Sequence, residues 1–126
     1  LAGRVVFTGH IGGMAAVYNG LDVVLSASIS PEPLGTMIIE GMTMARPVIA
    51  PDHGGAVEMI EDGVTGLLFH AGNPPSLAEK IALLHRDRRL AETLGLAARQ
   101  HALKTFAVRE HVNKVQSVYE RLLGTP

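Results

Sequence analysis

The fold of this chain turns on Ser28-Ile-Ser-Pro-Glu32-Pro-Leu-Gly35-Thr36-Met-Ile-Ile-Glu40-Gly-Met42. Just before it, Val23-Val-Leu25 is a short continuous apolar run, and from Gly35 onward the spacing suits a helix. The segment therefore carries the chain from a buried strand into a helix. Continuous rather than alternating hydrophobicity implies cover on both faces, which is the condition of strands in parallel sheets flanked by helices. The handover is then the carboxyl edge of the sheet, where open α/β sheets bind ligands. Gly35 lets a ligand approach the backbone, and the amides of Gly35, Thr36 and Met37 at a helix N-terminus make a site for a phosphate group. Pro33 can donate nothing there. Glu32 precedes the helix and Glu40 lies about one turn inside it, so two carboxylates can face one crevice without being adjacent. Each accepts hydrogen bonds from hydroxyls, and their separation suits two different sugar rings of one ligand. The competing reading makes Glu32 a loop carboxylate near a helix start and Glu40 a solvent-facing helix residue. The pattern alone leaves both open.

Outward from this stretch, the same alternation repeats. Val5-Val-Phe-Thr8, Val23-Val-Leu25, Val48-Ile-Ala50 and Gly66-Leu-Leu-Phe69 read as four buried strands of a parallel sheet. Met14 to Tyr18, Thr36 to Met44 and Gly55 to Ile60 supply the helices between them. Pro47 opens the third strand and Pro51 closes it, each at an end where a missing donor is tolerated. Gly and Pro crowd the chain up to Pro75 and almost vanish afterwards, which divides it into an α/β part over 1–75 and a helical tail over 76–126. In the tail, Asn73 or Ser76 can cap a helix through Leu84, with Ser76 and Glu79 at capping-box spacing and Leu77, Ile81 and Leu84 on one face. Asp87 can start the next helix, along which Leu90, Leu94, Ala97, Ala98 and His101 follow helical spacing. A last helix from about Val108 carries Val112, Val115, Val118, Tyr119 and Leu122 on one side, a stripe that is either core or a docking face. The two parts form one domain.

Composition excludes several function classes. Of the 126 residues, 47% are hydrophobic and 18% charged, the balance of a packed core rather than a disordered tail. Eleven Lys and Arg against twelve Asp and Glu leave a net charge of −1, so there is no electrostatic grip on a phosphodiester backbone and no nucleic-acid partner is expected. The absence of Cys removes disulfides and thiolate metal sites and fits a reducing compartment. No apolar run approaches the roughly 20 residues of a membrane span. The sequence opens on Leu1 with no basic stretch before an apolar one, so no signal peptide is expected and part of a longer chain is. His10, His53, His70, His85, His101 and His111 show no pair at metal-ligand spacing, so no metal is expected.

Two further stretches have the position of a site. Ala50-Pro-Asp-His53-Gly54-Gly55-Ala-Val-Glu58 again follows a strand and opens a helix, with paired glycines that let amides turn toward a ligand. His53 either lines the pocket or stays at the surface, and Glu58 assists the helix start. Phe7-Thr8-Gly9-His10 ends the first strand, where Gly9 could admit a flat base against the backbone and His10 stands at the same edge. The cluster Arg86-Asp-Arg-Arg89 reads as capping and solvation at a helix junction.

Taken in order, these stretches resemble the C-terminal, donor-binding half of a GT-B retaining glycosyltransferase of family 4. The match runs through Val6-Phe-Thr-Gly9, Asp22-Val-Val-Leu-Ser26, Glu32-Pro-Leu-Gly35, Glu40, Arg46-Pro-Val-Ile-Ala50, Gly54-Gly55 with Glu58, Glu61-Asp-Gly-Val-Thr-Gly-Leu-Leu-Phe69 and Val118-Tyr-Glu120. Its order and spacing carry it. The fold implied is a Rossmann-like parallel sheet followed by a helical tail. By this resemblance Glu32 and Glu40, separated by seven residues, are the family's signature pair. Glu32 is then the catalytic-site group on the donor sugar's hydroxyls, and Glu40 binds the ribose. The backbone of Leu34, Gly35, Thr36 and Met37 would serve the diphosphate and sugar, and that around Gly9 and His10 the base. The family commonly has Phe at Leu34, Ala at Gly41 and Gly at Ala45, and none of these departures removes a carboxylate.

The activity implied is transfer of a sugar from a nucleotide-diphosphate donor with retention of configuration and no metal or other cofactor. It would proceed in the cytoplasm, with peripheral attachment at the inner face of a membrane left open. The resembled enzymes carry their acceptor site on an N-terminal domain and a basic pair on earlier strands, so this chain alone should lack turnover. Without that domain, self-association through the last helix is an expectation. The rival class is a non-catalytic nucleotide-binding or self-assembling module of the same fold. A GT-B epimerase finds no support in the tail or the Glu32 loop.

Overall fold

The computed structural model describes residues 3–124. Among them three strands, β1 (Val24–Leu25), β2 (Val48–Pro51) and β3 (Leu67–Phe69), form one parallel sheet in the order β1-β2-β3. Val24 stands opposite Val48, and Ile49 opposite Leu67. The crossovers are α2 (Thr36–Thr43) and the short α3 (Ala56–Met59), with α1 (Met14–Gly20) preceding β1. The helices α4 (Pro74–Arg86), α5 (Arg88–Thr105) and α6 (Val108–Leu123) follow. Every residue of β2 is buried, as the central strand of a covered sheet requires.

Side chains of β2 alternate between two cores. Val48 and Ala50 join Tyr18, Val24, Ile38, Met42 and Met59 on one face, and Ile49 joins Leu67, Phe69, Leu84 and Leu94 on the other. Helix α5 serves both, placing Ala98 and Ala102 on the first and Leu94 on the second. It approaches closely because Gly95 has no side chain: a Cβ there would lie 2.3 Å from the carbonyl oxygen of Ala45. Of the caps read from sequence, those at Asn73 and Asp87 form, whereas Ser76 lies inside α4 and its hydroxyl accepts from the His70 amide instead of making a capping box with Glu79. Asn73 accepts from the Ser76 amide at 3.0 Å and Asp87 from the Leu90 amide at 2.9 Å.

The expected first strand does not. Val5–Thr8 joins no ladder, and Val6 and Phe7 are 79% and 94% exposed. A strand is stable only when its backbone groups are paired, and among the described residues this run forms no ladder with the open edge of β1. Among the described residues the sheet thus has three strands rather than four. On α4, Leu84 is buried but Ile81 is 43% exposed, so the apolar face read there is only partly used. The stripe on α6 is not core, because no residue of that helix is buried.

Candidate functional site

The carboxyl ends of β1 and β2 and the start of α2 enclose a small pocket lined by Ser26, Ser28, Glu32, Gly35, Ile38, Pro51, His53 and Ala56. Ser26 continues β1 by donating its amide to the Ile49 carbonyl at 3.0 Å, which fixes where the loop departs. The Ser28 hydroxyl donates to Oε1 of Glu32, so the loop carboxylate is held from its own N-terminal side.

The loop is held from the other side by the glycine pair. The Gly55 amide donates to the Glu32 carbonyl at 2.8 Å. A Cβ on Gly54 would lie 2.6 Å from that same oxygen, and one on Gly55 would lie 2.3 Å from the Pro33 carbonyl oxygen. Gly54 also has φ +60, a left-handed conformation that side chains resist. The glycines that suggested an opening for a ligand are thus occupied by the backbone of the Glu32 loop, and they act on the site by placing Glu32.

Helix α2 begins at Gly35 with no side-chain cap, and its first intrahelical acceptor is the Gly35 carbonyl, 2.9 Å from the Ile38 amide. The amides of Thr36 and Met37 therefore have no partner within the helix. The helix N-terminus carries the positive end of the helix dipole next to Glu32. The second carboxylate, Glu40, lies farther along α2 and is not part of the pocket lining. Its Oε2 accepts a 2.7 Å hydrogen bond from the Tyr18 hydroxyl on α1. Tyr18 is 4% exposed, and burial, then the bond and charge of Glu40, push its pKa up to about 12. Tyr18 does not stand out in the sequence, because the Tyr18–Glu40 bond spans 22 residues.

Of the other residues singled out by sequence, His53 lines the pocket half-buried, with both ring nitrogens enclosed and lacking a hydrogen-bond partner. Leu34 is exposed on the loop. Gly9 and His10 lie in an exposed stretch that contributes nothing to the pocket lining. Glu58 sits in the first turn of α3. Beside the site, Asp52 at the end of β2 accepts from the Ala71 amide at 2.9 Å and pairs with His70 Nδ1 at 2.7 Å. The amide first, then the histidine, hold the Asp52 carboxyl below its ordinary range. Among the described residues no group of three or more His, Cys, Asp or Glu is placed to hold a metal ion, and no helix is long and apolar enough to cross a membrane.

The family described as "Glycosyl transferases group 1" matches residues 1–87. An uncharacterized glycosyltransferase of Methanocaldococcus jannaschii is 40% identical over 91 residues, 72% of this chain and 26% of the relative. The alpha-maltose-1-phosphate synthase of Mycobacterium tuberculosis is 31% identical over 118 residues, 89% of this chain and 30% of the enzyme. Among solved structures, Anabaena HepE in complex with UDP and glucose superposes with a TM-score of 0.87 at 32% identity, covering 98% of this chain and 33% of that one. The fold is accordingly the α/β fold of GT-B glycosyltransferases. The chain spans about a third or less of the length of these proteins.

Proposed function

This chain belongs to the glycosyl transferases group 1 family, and on that premise we propose that it is the donor half-site of a retaining glycosyltransferase of family 4. The reaction moves a sugar from a nucleotide-diphosphate sugar to an acceptor. The observation that carries the reading is the uncapped start of α2 at the carboxyl edge of the sheet, with Glu32 on the loop before it and Glu40 within it. The Anabaena structure holds UDP and glucose, which supports uridine diphosphate as the first nucleotide to test.

In this reading the diphosphate lies over the backbone of Leu34, Gly35, Thr36 and Met37. The ribose hydroxyls donate to Glu40, and Gly9 and His10 border the base. Glu32 holds hydroxyls of the donor sugar beside the reaction centre. The bond from the anomeric carbon to the diphosphate oxygen breaks with its electron pair going to that oxygen, and the acceptor hydroxyl oxygen bonds to the carbon on the same face while its proton passes to the leaving diphosphate. Negative charge collects on the leaving diphosphate, where amides already oriented by the helix stabilise it without reorganising. Glu32 acts by position and charge, not as a nucleophile, and the chemistry calls for no metal or other cofactor. Glycosidase chemistry would need both carboxylates to flank one bond, a demand that a ribose-binding Glu40 does not meet.

The acceptor site belongs to an N-terminal domain outside this chain, consistent with the chain's share of its relatives' length. Alone it binds donor without turnover, and the exposed stripe of α6 gives it a face for self-association. The setting is the cytoplasm, including the inner face of a membrane. Ligand-observed NMR with UDP, GDP, ADP and their sugar conjugates tests the reading, with Glu40→Ala as control. Binding selective for one base and lost in the variant supports it, and a folded chain that binds none of them refutes it.

A further inference from the structure

We infer that Tyr18 is a positioning residue for the nucleotide's ribose, acting through Glu40 by fixing that carboxylate in one rotamer with one oxygen committed and the other left for the ligand. This rests on the reading of Glu40 as a ribose ligand. The geometry is specific. Glu40 is an exposed residue of α2, and an exposed glutamate has three rotatable side-chain bonds and no reason to hold one direction. Tyr18 is the opposite case. Its ring is buried in the core with Val24, Ile38 and Met42, so its hydroxyl is a fixed point delivered from α1 to the surface of α2.

The phenol's single proton is donated to Oε2 of Glu40 at 2.7 Å. Among the described residues no other hydrogen bond reaches the Glu40 carboxylate. An ionised carboxylate accepts and cannot donate, so Oε1 remains an acceptor for a hydroxyl-bearing ligand, and its direction is set before the ligand arrives. Preorganisation of this kind raises affinity by removing the ordering that the ligand would otherwise impose. It also raises discrimination, because the benefit reaches only ligands that present a hydroxyl to Glu40.

The test is calorimetric titration of the chain with UDP and with 2′,3′-dideoxyuridine diphosphate, for wild type, Tyr18→Phe, Glu40→Gln and the double variant. Phe keeps the buried ring, and thermal denaturation checks that each variant is folded. The wild type is expected to prefer UDP over the dideoxy analogue. Tyr18→Phe should weaken UDP about tenfold while leaving the analogue unchanged, and should add nothing in the Glu40→Gln background. Equal weakening of both ligands by Tyr18→Phe would mean a purely structural tyrosine and overturn the inference. So would an unchanged UDP affinity in Tyr18→Phe beside a loss in Glu40→Gln, a result that leaves the donor-site reading standing. If the wild type binds neither ligand or binds both alike, or if Glu40→Gln binds UDP as the wild type does, the ribose role of Glu40 fails and the role of Tyr18 fails with it.

Discussion

Ala45 is the one non-glycine residue among those described with a positive φ, at 54°, in the turn that takes α2 into β2. The left-handed region costs an L-residue about 1–2 kcal/mol, and glycine occupies it without that strain. Relief of the strain outweighs the extra freedom glycine has when unfolded, so Ala45→Gly should stabilise the chain by about 1 kcal/mol in urea denaturation. The site residues carry a second consequence at this scale. Tyr18 has its pKa raised to about 12 by burial and by Glu40, against an ordinary value near 10. A group whose pKa is raised on folding contributes stability that is complete below its unfolded value and is lost as pH rises through its folded one. Stability should therefore fall from about pH 10 and level off near 12, at up to about 1.4 kcal/mol per unit. Tyr18→Phe should abolish that part of the alkaline loss. In a Tyr119→Phe background the phenolate absorbance should titrate near 12.

Between elements, the site is built by backbone meeting backbone. The loop carrying Glu32 rests on Gly54 and Gly55, with the Pro33 carbonyl oxygen 2.3 Å from where a Gly55 Cβ would be. Gly55→Ala must displace one segment or the other, and a loss of about 2 kcal/mol or more is expected. Amide resonances should move from Ser28 to Gly35, the span that carries Glu32. On the far side of β2, Asp52 binds the Ala71 amide and His70 and so ties the loop after β2 to the loop after β3. Its lowered pKa makes this clasp complete above the ordinary carboxylate range and lost as pH falls through the folded value. Asp52→Asn should flatten that acid limb in a denaturation series against pH. The placing of Glu32 on the loop before α2 and of Glu40 within it, the start of α2 and the caps at Asn73 and Asp87 were legible in the sequence because each depends on neighbours within a few residues. The Tyr18–Glu40 bond and the seating of Gly55 on Pro33 were not, since each joins segments about 20 residues apart that only the fold brings together. Val5–Thr8 shows the same limit. Its apolar run has the same local character as β2, but strand formation depends on pairing, and nothing local reveals that among the described residues the run makes no ladder with β1.

For the molecule as a whole, the sheet, α1 to α5 and their two cores form the folded unit, while α6 contributes no buried residue to it. Its apolar residues Val112, Val115 and Leu122 are 51%, 41% and 76% exposed. The T-shaped contact between His101 and Phe106, at 5.8 Å, closes the packed part just before this helix starts. A helix of 16 residues without a packed face is marginal in water, where its own hydrogen bonds barely offset the cost of nucleation. In the monomeric chain, removing residues 108–126 should therefore change stability by no more than about 0.5 kcal/mol, and amides of α6 should exchange far faster than those of α5. A larger loss would mean that α6 is covered in solution. The dependence of stability on protein concentration separates the two ways this could happen. If α6 packs against a second copy, the transition moves upward with concentration, because mass action favours the assembled folded state. If it packs back on its own chain, the transition stays fixed. A concentration-dependent transition abolished by Val115→Asp would place the contact on the apolar stripe itself, and the same substitution should leave the transition of a monomeric chain almost unmoved, since Val115 belongs to no packed core.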